Sequence, residues 1–168
     1  MALHLVIDGY NLLGASPHDA FRDIEAERER LIDALAAYRR LKGVKLTAVF
    51  DGTNSKRLTR SREMRSGVEV IFSRDGEEAD RILKDLARNK KSSVTIVTSD
   101  RDVASCAESN GAVTVGSDEF RYLLDAALYE DVKGVKAQDE EETARDKKGP
   151  SKREPKAVRR KMNRLKKL

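Results

Sequence analysis

Leu5-Val6-Ile7-Asp8-Gly9-Tyr10-Asn11 is the stretch that decides the fold of this chain. An unbroken apolar run stops at an aspartate, and a glycine follows at once. Such a run marks a strand buried on both faces, as in parallel sheets covered by helices. An acid at its end projects into the crevice beyond the strand. The same grammar recurs. Lys45–Phe50 ends at Asp51-Gly52, Val68–Phe72 at Ser73-Arg74-Asp75-Gly76, and Val94–Val97 at Thr98-Ser99-Asp100-Arg101-Asp102. A fifth apolar run, Ala112–Val115, is followed by Gly116-Ser117-Asp118.

Helical patterns lie between these strands. Ile24, Leu31, Ile32, Leu35 and Tyr38 predict a helix over 24–42, with acids early, Arg39, Arg40 and Lys42 late, and Gly43 as its stop. Ala79, Ile82, Leu83, Leu86 and Ala87 predict another over about 77–89. A short helix over about 101–109 closes at Asn110-Gly111, and a last one carries Phe120, Leu123, Leu124 and Leu128. Residues 53–66, with five bases and little apolar content, read as a mobile loop or a loosely packed helix. Glu69 within the third strand suggests a sheet edge. Strands alternating with helices predict an α/β fold with a doubly wound, mostly parallel five-stranded sheet.

The chain has 168 residues, 39% hydrophobic and 38% charged, with a net charge of +5. Residues 147–168 carry eleven Lys/Arg against one acid, Glu154, so the body before them is mildly acidic. The expected organisation is one folded domain over 1–130, an acid-rich helix extension or linker over 131–146, and a basic, largely disordered tail over 147–168. One cysteine, Cys106, excludes an internal disulfide. The first residues lack a signal-peptide pattern, and no 18-residue apolar run is present. A cytoplasmic protein without a membrane partner is expected. Of the two histidines, His4 reads as a strand residue and His18 as a surface one.

In an open parallel sheet, ligands bind outside the carboxyl ends of the strands. Asp8, Asp51, Asp75 and Asp100 all stand there, with Asp102 two residues further on. Glu77-Glu78-Ala79-Asp80 begins the next helix near the same rim. On a helical wheel centred on the apolar face, Asp80 lies on the border of that face, whereas Glu77 and Glu78 point further outward. Asp80 is therefore the acid best able to reach inward. Each such acid also has an ordinary role, in a turn or beside a helix dipole. Their shared rim is what points to chemistry. Two unit charges about 4 Å apart repel by roughly 1 kcal/mol in water and about 4 kcal/mol at an effective dielectric near 20. A crowd of carboxylates thus demands protons or a cation, and oxygen-only donors favour Mg²⁺ or Mn²⁺ over zinc.

Val6-Ile7-Asp8-Gly9-Tyr10-Asn11, Phe50-Asp51-Gly52, Glu77-Glu78-Ala79-Asp80 and Thr98-Ser99-Asp100-Arg101-Asp102, in that order, resemble the NYN domain, a branch of the PIN-like nucleases. The compact form with a basic C-terminal arm is similar to its bacterial YacP-like endoribonuclease subgroup, although the tail itself lies outside the domain match. The resemblance covers roughly residues 3–130. It implies a PIN-like three-layer α/β/α sandwich and Mg²⁺- or Mn²⁺-dependent endonucleolytic cleavage of single-stranded RNA, with mRNA as substrate and the ribosome as an associated partner. It implies Asp8, Asp80 and Asp100 as the metal-binding core, with one or two ions. Asp102 and Asp51 would be further ligands or supporting acids, and Asn11 a positioner of metal water or phosphate.

Lys56, Arg57, Arg60, Arg62 and Arg65, close to the rim, are the candidate phosphate grip, and Arg101 stands between two acids. In the tail, Lys152, Arg153, Arg159, Arg160 and Lys161 are candidate RNA contacts. The tail has no aromatic residue, so its binding is expected to be electrostatic and sequence-blind. Val158, Met162 and Leu165 fall at helical spacing and could form an amphipathic helix on a partner.

Other readings fare worse. A haloacid-dehalogenase-like phosphatase needs a second aspartate two residues after the first, where this chain has Tyr10 and, after Asp51, Thr53. A receiver domain wants a lysine closing the fifth strand, where Val115-Gly116 stands. A Toprim domain needs a glutamate ending its first strand, where Asp8 stands. From another class, a non-catalytic RNA- or ribosome-binding adaptor with a degenerate nuclease fold is the alternative.

Overall fold

The computed structural model describes residues 2–14, 19–52, 57–133 and 156–168. Its centre is a six-stranded sheet built from β1 (His4–Asp8), β2 (Lys45–Phe50), β3 (Ser61–Arg65), β4 (Val68–Phe72), β5 (Val94–Val97) and β6 (Val113–Val115). The strand order is β3-β4-β2-β1-β5-β6. Only the β3–β4 pair is antiparallel. In the register, Ile7 stands beside Ala48 on one side and Val97 on the other.

Helices cover both faces. On one lie α1 (Gly9–Leu13), α2 (Ile24–Lys42), α5 (Ser117–Lys133) and α6 (Lys156–Leu165). On the other lie α3 (Ala79–Lys90) and α4 (Arg101–Ser109). Alternation along the buried strands separates two cores. Leu5 and Ile7 of β1 face the Leu35, Tyr38 and Phe120 side, whereas Val6 faces Ile82, Leu83 and Val103. The result is the three-layer sandwich expected from the alternating pattern.

The local signals act as read. Asp23 caps α2 by accepting a hydrogen bond from the Ala26 N–H at 3.1 Å, and Gly43 ends it in the left-handed region at φ +64°. β2, β4 and β5 occupy the expected residues. His4 is the expected strand residue, and burial lowers its pKa to about 4, so it is neutral at pH 7. The Thr47 hydroxyl donates to Glu69, so His4 Nε2–H is the donor to Thr47 Oγ1.

Four expectations are corrected. The sheet has six strands, because Ser61–Arg65, inside the segment read as a loop or helix, pairs with β4 as a charged edge strand. The turn between them, Ser66-Gly67, has φ +50° and +85°, the backbone twist that suits a two-residue hairpin. An edge strand of charged residues needs no apolar alternation and resists further pairing. Consequently β4 is an interior strand. Its Glu69 is tolerated there because Thr47 donates to it and Arg62 of β3 lies 3.5 Å away. Glu77 precedes α3, so the wheel did not apply to it. Its side chain is only 4% exposed, held by Arg60.

The fourth correction concerns the tail. Residues 134–155, with most of the acid-rich stretch and with Lys152 and Arg153, lie outside the described residues, as do His18 and Lys56. Residues 156–168, however, fold back on the domain. Leu168 is buried with the α2/α5 core, Leu165 packs against it, and the Tyr38 hydroxyl donates to the Leu168 main-chain oxygen at 2.7 Å. The Arg164 guanidinium donates to the Ser92 carbonyl, and Lys161 lies 3.8 Å from Glu119. Of the residues read as a partner-facing stripe, Leu165 packs on the domain itself, and the Val158 and Met162 side chains lie outside the described residues.

A buried hydroxyl–carbonyl bond contributes about 1 kcal/mol, and its loss leaves a desolvated acceptor. Tyr38→Phe should therefore lower the melting temperature by roughly 2–5 °C, with removal of residues 156–168 costing more. Calorimetry checks this; melting temperatures equal to that of the intact chain would sink the docking of α6.

Candidate active-site rim

β1 is the central strand, and the chain builds outward from it in one direction through β2 and β4, then in the other through β5 and β6. The connections after β1 and β5 therefore diverge, opening a crevice at their carboxyl ends. Asp8, the last residue of β1, and Asp100, three residues past β5, flank that crevice.

Gly9 sets the approach of the neighbouring strand end. A Cβ there would collide with the Phe50 ring. Only glycine lets the turn after Asp8 sit on the ring that precedes Asp51, and Tyr10 completes the contact edge-on at 5.2 Å. Asp51 Oδ1 accepts from the Ala79 N–H, which ties the end of β2 to the start of α3 and so to Asp80. The Gly52 N–H donates to Ser73 Oγ, joining the ends of β2 and β4.

The other half of the rim is stitched by hydroxyls and one amide. Thr98 Oγ1 donates to Asp8 Oδ2 at 3.0 Å and accepts from the Asp100 N–H at 3.1 Å. Asp100 Oδ1 caps α4, accepting from the N–H groups of Asp102 and Val103. Asn11 Oδ1 accepts from the Ser99 N–H at 2.8 Å and from the Ser117 hydroxyl, while the Ser117 N–H donates to Ser99 Oγ. Asn11 thus clamps the ends of β1, β5 and β6 together. Thr98 and Ser99, quoted only as part of a motif, and Ser117, a candidate helix cap, were given no role at the site from the sequence. The only signal was that each closely follows a strand, where a hydroxyl can reach across to the neighbouring strand end.

The electrostatics reflect this gathering. Asp8 is 6% exposed. Burial pushes its carboxyl up from the ordinary 3.8 to about 6, against the pull of the Thr98 hydrogen bond, and the nearby Asp80 and Asp51 add to the rise. Burial also raises Asp80, with Asp100 as the next cause and Lys84 acting in the opposite sense. Asp8, Asp51, Asp80 and Asp100 are therefore linked through one another's charge. Asp102 stands apart: its side chain is 81% exposed and paired with Lys84. Asp75 is exposed on the β4–α3 turn. Among the described residues, no three acidic, histidine or cysteine side chains are already close enough to cage an ion. The donor set nevertheless fits a hard divalent cation. It is all oxygen, it holds a nearly buried carboxylate, and the charges acting most on that carboxylate from nearby side chains are negative.

The candidate phosphate grip is largely committed elsewhere. Arg60 reaches Glu77 at 2.5 Å and Asp85 at 2.9 Å. Arg65 holds Glu29 at 2.6 Å, and Arg57 lies over the Phe72 ring. Arg101 is exposed at the first turn of α4. On α6, Arg160 is exposed, and the Arg159 side chain lies outside the described residues. A groove of about 830 Å³ opens beside the rim, lined by Asp80 and Asp102 and by Arg57, Arg74, Arg81, Lys84 and Arg88. No helix among the described residues is long and apolar enough to cross a membrane.

Comparison with known proteins bears on the family and the fold. The curated "Uncharacterized protein YacP" of Bacillus subtilis (strain 168) is 34% identical over 104 residues, which span 57% of this chain and 59% of that relative. This chain thus matches less than two thirds of that relative's length. The crystal structure of Rae1 (YacP) from Bacillus subtilis has a TM-score of 0.60 at 27% identity, covering 78% of each chain. A crystal structure of a point mutant of the same Rae1 (YacP) has a TM-score of 0.60 at 25% identity, covering 82% of this chain and 87% of that one. The fold is thus the PIN-like one of those structures. A family model described as the YacP-like NYN domain matches residues 5–167, nearly the whole chain, and with that the protein belongs to the YacP-like NYN domain family.

Proposed function

We propose that the protein is a metal-dependent endoribonuclease that cleaves single-stranded RNA, with mRNA, at the ribosome, as the favoured substrate. The observation that carries this reading is the mutual repulsion of buried Asp8, half-buried Asp80 and Asp100 along one rim, with Asp51 behind them. A rim of that charge has no use for an RNA phosphate unless a cation comes between them.

In this reading Asp8, Asp80 and Asp100 hold one or two Mg²⁺ or Mn²⁺ ions, with Asp51 as a supporting acid. The bound cation supplies charge neutralisation at a phosphodiester oxygen and a more acidic water for in-line attack. The chain's own groups orient that set. Thr98 fixes Asp8 through its hydroxyl proton and Asp100 through the Asp100 N–H. Asn11, an amide without basic character, acts as a clamp through Ser99 and Ser117. Asp102 is a weaker ligand candidate, because Lys84 already satisfies it. The adaptor alternative would leave the repulsion on the rim unexplained.

Removing a ligand that carries several kcal/mol of transition-state stabilisation lowers the rate at least about 100-fold. Asp8→Asn, Asp80→Asn and Asp100→Asn should each do so on a labelled single-stranded RNA with Mn²⁺, whereas Asp102→Asn should lose less. Undiminished cleavage by Asp8→Asn or Asp100→Asn would overturn the assignment. Binding without cleavage by the wild-type chain under Mn²⁺ and Mg²⁺ alike would favour the adaptor.

The raised Asp8 value has a consequence for stability. Its folded value lies above the unfolded one, so the carboxyl is protonated in both states below about pH 3.8 and destabilises nothing there. As pH rises through 6, the folded state must hold a desolvated charge, which costs about 1–3 kcal/mol above that pH. In EDTA, Asp8→Asn should melt several degrees above wild type at pH 8, with the gap shrinking towards pH 4. Mn²⁺ should raise the wild-type melting temperature and leave that of Asp8→Asn unchanged. A variant less stable than wild type at both pH values in EDTA would contradict the buried-charge account.

A further inference from the structure

The groove beside the rim is lined by five cations and five acids, and of the cations only Arg57 belongs to the charged segment singled out in the sequence. Arg81, Lys84 and Arg88 fall at i, i+3 and i+7 on α3, so they form one stripe along the helix. That stripe begins next to Asp80 and leads away from the rim for about 10 Å. Arg74 and Arg57 flank it from the β4–α3 turn and the segment before β3.

Their state of commitment distinguishes these cations. Arg74, Arg81 and Arg88 have side chains 51%, 68% and 54% exposed. Arg74 and Arg81 lie 3.9 and 4.0 Å from Glu77, at the limit of an ion pair, and Arg60 already neutralises Glu77 from within. Arg88 lies 3.3 Å from Asp85, which it shares with Arg60. The acids that also line the groove are accounted for in part. Asp80 belongs to the rim, Asp102 is paired with Lys84, and Asp75 and Glu78 are left on the surface. Leu58 adds an apolar surface in the same groove, 91% exposed. Exposed guanidinium groups spaced along a line, with an apolar residue among them, suit a strand whose phosphates are on one side and whose bases are splayed.

We propose that the α3 groove is the path of the single-stranded RNA flank next to the scissile bond, with Arg74, Arg81 and Arg88 as its phosphate contacts and Leu58 against a base. This rests on the reading of the rim as the cleavage site. The path avoids Arg60 and Arg65, which hold the fold's own acids.

The test is binding of a labelled single-stranded RNA oligonucleotide to the full chain in EDTA, so that no cleavage intervenes, over a series of salt concentrations. Arg74→Gln/Arg81→Gln/Arg88→Gln should bind about 10-fold or more weakly at low salt. Its log–log salt slope should be shallower by about 2, the loss of three contacts on a single strand. Arg74→Lys/Arg81→Lys/Arg88→Lys should keep most of the slope. A charge-matched control at the opposite pole, Arg40→Gln/Lys42→Gln/Lys45→Gln, should change the slope less. Leu58→Ser should weaken binding without altering the slope. A glutamine variant that retains its melting temperature and binds like the control overturns the groove, even if Asp8→Asn abolishes cleavage. The expected loss of binding, in a wild-type chain that cleaves nothing with any metal, supports the groove and fails the nuclease reading instead.

Discussion

Asp8 is an anionic residue at the end of the central strand of a buried parallel sheet, and the surroundings answer to that constraint. A desolvated carboxylate with like charges as neighbours is unfavourable in the folded state, and its raised pKa expresses this. The chain concentrates hydrogen bonds around it. Thr98 donates to it, Gly9 allows the strand end beside it to pack on Phe50, and Asp51 is held against the start of α3. Strain of this kind is retained where an arriving ligand relieves it. A divalent cation is the ligand that the all-oxygen donor set suits.

The stitching around Asp8 also accounts for the second feature of the NYN pattern. Asn11 belongs to the short helix that follows β1, yet its carbonyl reaches the backbone after β5 and the first residue of α5. An aspartate there would add another negative charge to the crowded rim. An amide accepts the same hydrogen bonds and stays neutral. The asparagine thereby fixes three strand ends without adding to the repulsion.

Charge elsewhere is sorted by depth. Arg60 and Glu77 form an inner pair that anchors the segment before β3 to the start of α3, and Arg65 joins the hairpin to α2 through Glu29. The outer arginines, Arg74, Arg81 and Arg88, are left mostly in solvent beside the rim. Arg60 and Arg65 of the cluster in sequence thus serve the fold, and basic residues scattered along a turn and a helix share one groove. The basic tail divides similarly: Leu165 and Leu168 pack on the domain while Arg160 faces water.

The strands, the long helices and the acids at the strand ends were legible in the sequence, because each depends on patterns within a few residues: unbroken apolar runs, 3.6-residue periodicity, caps and glycine stops. The antiparallel edge strand was missed because an edge made of charged residues carries no alternation to read. Glu77 was misjudged because two residues of helix start changed which direction it faces. The sequence by itself pointed Asp8, Asp51, Asp80 and Asp100 to one rim, since strand direction puts the strand-end acids there and the helix bearing Asp80 starts beside them. Only the tertiary structure decided which charges are spent within the fold and which remain available. Ion pairs join residues such as Arg65 and Glu29, or Lys84 and Asp102, that are far apart along the chain, and no local pattern encodes such partners.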